Sequence, residues 1–213
     1  MESALAPAPS STPKPLPIIH LNGFPGTGKL TIARALQQQI GACCRLVHNH
    51  LLINPADAVL HRSEAGYQDL RRAIRGAIFA SLAHSPASHR FAYVFTDFQS
   101  TDSIGSAVCA EYLAAARARG AALVSVVVHC DEATNLARLQ AGDREAHHKI
   151  IDPDLLLMFR RGTQIHRFDE PGVMSLDIDV ANLSAVEAAK GILEHLLRVC
   201  PELEDEITVA KDC

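Results

Sequence analysis

Five apolar runs recur along the chain, and each is followed by a stretch with helical spacing. Leu16-Pro17-Ile18-Ile19-His20-Leu21 predicts a first strand over about 16–22. Cys44-Arg45-Leu46-Val47, then Phe91-Ala92-Tyr93-Val94-Phe95, then Leu123 to His129, then Met174 to Ile178 predict four more. Runs this continuous suit strands buried on both faces, as in a parallel sheet. Helices are expected over about 29–40, 55–61, 64–84, 104–119 and 132–140, after Pro153, and over 184–198. In the 64–84 segment Leu70, Ile74, Ala77, Ile78 and Leu82 recur at helical spacing. Gly41 and Gly120 stand where helices end, and Pro153 suits a first helical turn. Ser184 with Glu187 three residues on reads as a capping box. The alternation predicts an α/β fold, an about five-stranded parallel sheet with helices on both faces.

The pattern fades at both ends. Pro7, Pro9, Pro13, Pro15 and Pro17 alternate with Ala and Ser, so residues 1–17 read as a disordered tail. It lacks the apolar centre of a secretory signal, and a transit peptide is a weaker reading because Glu2 is present and Arg is absent. The domain is expected over 18–200 and a flexible C-terminal tail over 201–213. At 213 residues and 48% hydrophobic content the chain suits one domain with a sizeable core. A net charge of −4 gives no reason to expect nucleic-acid binding. No apolar run approaches the roughly 20 residues that cross a bilayer. The six cysteines lack paired metal spacing and read as reduced, mostly buried thiols of a cytoplasmic protein.

The chemistry gathers where the first strand ends. Residues 23–31 read Gly-Phe-Pro-Gly-Thr-Gly-Lys-Leu-Thr, between the strand and Ile32-Ala33-Arg34-Ala35-Leu36, which begins the helix. Strand, glycine-rich loop, lysine, helix is the build of a P-loop. Gly23, Gly26 and Gly28 allow positive φ and close approach to a ligand. Successive N–H groups then form an anion nest, and the helix adds its positive end there. Lys29 supplies a mobile charge for the β- and γ-phosphates. The bland alternative is an ordinary glycine turn. The usual pattern has Ser or Thr directly after the lysine, toward magnesium. Here Leu30 holds that place and Thr31 follows, so Thr31 is the candidate for the magnesium-side hydroxyl.

Two more features join the loop. Asp97 ends the third strand, where a carboxylate reaches a magnesium ion or its water shell; the competing reading is a cap for the next helix, a job that suits Asp102 or Ser103 better. Arg138, Arg144, His147, His148, Lys149, Arg160 and Arg161 make a basic stretch. Arginines on a flap can neutralise phosphates and exclude water, although a solvated charged loop is the common alternative. In open sheets of this type ligands bind beyond the C-terminal strand ends. That rule nominates the loop, Asn49 with His50, Asp97 and the segment after Asp177.

The loop resembles that of the adenylate-kinase-like small kinases, Gly-x-Pro-Gly-x-Gly-Lys-Gly-Thr. Gly23, Pro25, Gly26, Gly28, Lys29 and Thr31 match, while Thr27 fills a free position and Leu30 departs. Asn49 to Pro55, Cys130-Asp131-Glu132 with Asn135-Leu136, Lys149 to Pro153 and Asp179 to Ser184 look like a group of small P-loop kinase-like ATPases (AAA/kinase-like), and the resemblance spans most of 16–198. It implies a P-loop NTPase three-layer sandwich with a small lid at about 140–152, and ATP with Mg2+ as cofactors. It implies Arg138 against the nucleotide base, Arg144 and Arg160 or Arg161 near the phosphates, and Asn182 beside the adenine pocket.

The acceptor side is thinner. The nucleoside-monophosphate signature Asp-Gly-Phe-Pro-Arg is absent; the stretch reads Thr96-Asp97-Phe98-Gln99-Ser100, so AMP is not implied. His50 can act as a base, with an unperturbed pKa of about 6.5, or be a structural histidine. Arg71, Arg72 and Arg75 can grip an anionic acceptor or form a solvated helix face. The leading expectation is a kinase moving the γ-phosphate of ATP to an unidentified small molecule or nucleotide. The alternative is a regulatory ATP-binding or hydrolysing switch. No Asn-Lys-x-Asp guanine motif is present, which disfavours a GTPase.

Overall fold

The computed structural model describes residues 14–140 and 152–211. In chain order the elements are β1 (Ile18–Asn22), α1 (Lys29–Ile40), β2 (Cys44–His48), α2 (His50–Asp57), α3 (Tyr67–His84), α4 (Pro86–His89) and β3 (Ala92–Asp97). There follow α5 (Ser103–Arg119), β4 (Leu123–His129), α6 (Glu132–Gln140), α7 (Pro153–Gly162), β5 (Val173–Asp179), α8 (Ala185–Val199) and α9 (Glu202–Lys211).

β1 lies at the centre and every residue in it is buried. It pairs in parallel with β3 on one side and β4 on the other, and the sheet order is β2-β3-β1-β4-β5. Register sets Asn22 beside Asp97, so the end of β1 and the end of β3 finish level. β5 alternates half-buried and exposed residues, as an edge strand does. Two apolar layers cover the sheet. On one face Ile32 and Leu36 of α1 meet Ile192 and Leu196 of α8. On the other Phe79 and Leu82 of α3 meet Val108 and Tyr112 of α5. The chain order runs outward from β1 in both directions, which opens a crevice at the C-terminal strand ends.

Five strands and most helices stand close to their expected places, and the differences have physical causes. The helix expected near 55–61 is α2, which starts at His50; Pro55 lies inside it rather than in its first turn. α4 was not expected. Residues 14–17, read as the end of a tail, are packed: Leu16 is 2% exposed and donates its N–H to His89 O at 2.9 Å. Residues 1–13 lie outside the described residues. The C-terminal segment read as flexible is largely α9. Its first turn carries Glu202, Glu204 and Asp205, which favour a helix N-terminus. Leu203 and Ile207, one turn apart, are buried against the core. Cys43, Cys44, Cys109, Cys130 and Cys200 are buried free thiols, and burial pushes Cys44 up to about 12. Among the described residues no helix is long and apolar enough to cross a membrane.

One buried cation ties the chain segments together beneath α5. Arg119 is 3% exposed and donates to Leu16 O, Leu82 O, Ser88 Oγ, Ser88 O and Phe91 O at 2.6 to 3.1 Å. Arg119→Ala removes five hydrogen bonds from a buried site. It is expected to cost about 3 kcal/mol, read as a lower midpoint in urea unfolding with an unchanged slope.

Candidate functional site

The loop between β1 and α1 is held open by absent side chains. A Cβ on Gly23 would stand 2.2 Å from Val128 O of β4. Gly26 and Gly28 have φ of +88° and +91°, a region that L side chains rarely adopt. A Cβ on Gly26 would also come within 2.6 Å of Asn135 Nδ2. Gly28 precedes α1 and no side chain caps the helix. The first-turn N–H groups therefore face the crevice as an anion-binding end.

Two buried amides fix this loop from behind. The Asn22 carboxamide accepts from Gly23 N at 3.0 Å and Gln99 N at 2.8 Å, and donates to Gln99 O at 2.9 Å. It joins the start of the loop to the chain just past Asp97. Asn135 of α6 is 0% exposed. It donates to Pro25 O at 2.8 Å and accepts from Arg160 Nη1 at 2.9 Å. Arg160 also reaches Cys130 O at 3.3 Å and lies 5.3 Å from the Phe24 ring centroid. Sequence reasoning had set Arg160 or Arg161 near phosphates; here Arg160 braces the loop through Asn135, and Arg161 is exposed. Asn22 was not singled out beforehand and Asn135 only as part of the resemblance, without a role, because each acts through partners distant in sequence.

Lys29 is turned onto its own loop. Its ammonium donates to Gly23 O at 2.6 Å and Phe24 O at 2.7 Å, with Thr27 Oγ1 at 3.4 Å. Asp97 is 3% exposed. One carboxylate oxygen accepts from Phe98 N at 2.9 Å; the other accepts from the Tyr112 hydroxyl at 3.3 Å and stands 3.9 Å from His20 Nε2. Burial works against its charge, but the His20 ring, the Gln99 side chain and the Phe98 N–H outweigh it. They hold the carboxyl below its ordinary value. His20 packs on Tyr112 with ring centroids 4.4 Å apart, under β1.

A cleft of about 860 Å³ runs along this edge. Pro25, Gly26, Thr27, Gly28, Lys29, Leu30 and Thr31 line it, and so do Asp97, His50 and Arg138. Gly23 is buried behind the loop. Arg138 donates to Val180 O at 2.8 Å, with Ala181 O at 3.3 Å and Leu183 O at 3.4 Å, so its guanidinium joins α6 to the turn after β5. In that turn Val180, Leu183, Ser184 and Ala185 line the cleft, whereas Asn182 is exposed and does not. Arg144, His147, His148, Lys149 and nearly all of the expected lid lie outside the described residues. The far wall adds His48, Arg62, Arg71, Thr96, Gln99 and Ser100. Apart from Arg71 these were not foreseen as site residues. The arrangement can bind a polyanion at the loop, hold an apolar or flat group by the β5–α8 turn, and admit a second polar molecule beyond Asp97.

No family model matches the chain, and no curated protein matches it. Solved structures do. A sugar kinase from Janibacter sp. HTCC2649 superposes with a TM-score of 0.57 at 16% identity, covering 89% of this chain and 98% of its own. A gluconokinase from Sinorhizobium meliloti 1021 gives 0.56 at 16%, covering 92% and 99%. The chain has the P-loop kinase fold. A tunicamycin resistance protein from Deinococcus radiodurans shares it, with a TM-score of 0.54 at 16% identity over 86% of this chain and 95% of that one. Here the glycine loop at the end of β1 and the carboxylate at the end of β3 line one crevice.

Proposed function

We propose that this protein is a kinase that transfers the γ-phosphoryl group of ATP to a hydroxyl of a small molecule or nucleotide. The observation that carries the reading is the extent of the cleft. It continues past the P-loop to a polar wall of His48, His50, Arg62, Arg71, Gln99 and Ser100. A volume of about 860 Å³ lies near the top of the usual range for ligand pockets, roughly 300–1,000 Å³. A switch that only binds and hydrolyses ATP needs no second polar chamber.

The residues take these roles in the proposal. The N–H groups over 26–31 cradle the phosphates, and Lys29 leaves its loop carbonyls to follow the β- and γ-phosphates. Arg138 supports the wall at which the adenine lies. Thr31 and Asp97 offer a hydroxyl and a carboxylate, hard oxygen donors of the kind that suit Mg2+. Among the described residues no group of three or more His, Cys, Asp or Glu forms a metal site by itself. That fits an ion held chiefly by the nucleotide, with Thr31 and Asp97 as its protein donors. Bound there, Mg2+ would neutralise charge on the phosphates. His50, at the first turn of α2, orients the acceptor hydroxyl and takes its proton. The buried thiols fit a reducing, cytoplasmic setting.

Incubation of the full chain with γ-labelled ATP, Mg2+ and panels of hydroxyl compounds tests the proposal. Label is expected on an organic acceptor, at a rate well above release of inorganic phosphate. Release to water alone, whatever acceptor is present, would overturn the kinase reading in favour of a hydrolysing switch.

A further inference from the structure

We infer that the phosphate acceptor carries a carboxylate or phosphate group besides its reacting hydroxyl, and that Arg71 is the residue that selects it. The inference rests on the kinase reading above.

Three arginines, Arg71, Arg72 and Arg75, lie within five residues of α3, and the fold separates them. Arg75 is 5% exposed and bonds Glu111 at 2.6 Å. Arg72 stands 3.5 Å from the same carboxylate and 3.7 Å from Asp69. Both are neutralised within the protein. Arg71 instead lines the cleft. Its Nε is buried with no hydrogen-bond partner, and among the described residues no carboxylate comes within 4.0 Å of it. A buried guanidinium N–H without an acceptor is unfavourable, so such a group is retained where a ligand completes it.

The rest of the wall does not supply that acceptor. Among the described residues the cleft carries the cations Lys29, Arg62, Arg71 and Arg138, and the carboxylates Asp97 and Asp102. Asp97 is turned to Phe98 N–H, Tyr112 and His20. Asp102 accepts from Gly105 N at 2.7 Å and from the Ser100 hydroxyl, as the cap of α5. Lys29 and Arg138 hold loop carbonyls at the nucleotide end. Arg62 is 3.2 Å from Asp57, whose carboxylate also accepts from the Tyr67 hydroxyl. Asp57 feels the charge of Arg71 but is engaged by these two. Among the described residues the Arg71 charge is therefore without a paired carboxylate at the acceptor end, on a planar fork shaped for a carboxylate or phosphate.

The test pairs each acceptor with its neutral form. Hydroxy acids are set against their methyl esters, and sugar phosphates and nucleoside monophosphates against their dephosphorylated parents, with γ-labelled ATP. Transfer is expected to the anionic member only, and the two panels separate a carboxylate from a phosphate. Arg71→Ala should raise KM for that acceptor about tenfold or more, with KM for ATP unchanged. Arg71→Lys should recover part of the loss, and Arg72→Ala none of the effect. Equal transfer to neutral and anionic members, or an acceptor KM indifferent to Arg71→Ala, overturns the inference and leaves the kinase standing. Release of phosphate to water alone removes the kinase reading and the inference with it.

Discussion

Lys29→Ala is expected to lower ATP-dependent turnover by about a thousandfold, the upper end for loss of one preorganised charge at a reacting group. The fold should survive, because the ammonium's short bonds go to carbonyls of its own loop, Gly23 O and Phe24 O. The side chain is partly exposed, so the truncated loop rehydrates at small cost. Melting temperature should shift by no more than a few degrees, while ATP affinity falls steeply. Lys29→Arg should restore little, since a guanidinium fork does not replace a compact ammonium in a tight nest. The decisive comparison is turnover against ATP affinity in the same preparation. Unchanged values of both would show that the loop is an ordinary turn and would remove the foundation of the proposed function.

The legibility of this loop has a physical cause. β1, β3 and β4 are buried on both faces, so each is a continuous apolar run. Glycines between such a strand and a helix admit few readings. The edge strand β5 was read as one more apolar run, and the structure shows half-buried and exposed residues alternating along it. α9 was hidden because a run of acids surrounds its two buried apolar residues, and composition pointed to a solvated tail. α2 was shifted because Pro55 is most at home in a first turn but lies late in this helix.

The site was legible in proportion to how local its geometry is. Lys29, Thr31 and the loop glycines act within nine residues. Asn22 and Asn135 act through partners 77 and 110 residues away, and no periodicity announces such a bond. The three arginines of α3 have nearly the same sequence surroundings. Arg71 and Arg72 point about 100° apart, while Arg72 and Arg75, three residues apart, share a face, and only the packing of α3 against Glu111 of α5 shows which side is taken.

Asp97→Asn should give the second large effect, a fall in Mg2+-dependent turnover on the order of a hundredfold with metal-free nucleotide affinity little changed. The substitution keeps the shape and the bond from Phe98 N–H but removes the negative charge beside the proposed phosphate site. Its consequences for pH follow from the folded environment. The folded-state pKa lies below the ordinary 3.8, so ionisation of Asp97 stabilises the fold above that pH. This contribution is lost as pH falls through the lower folded value. At neutral pH the carboxylate is fully charged, and the acid limb of the turnover profile should not be set by Asp97. The variant should therefore retain the shape of that limb above pH about 5 while its plateau drops. A plateau equal to that of the unaltered protein would mean that Asp97 serves only the buried contact with His20 and Tyr112.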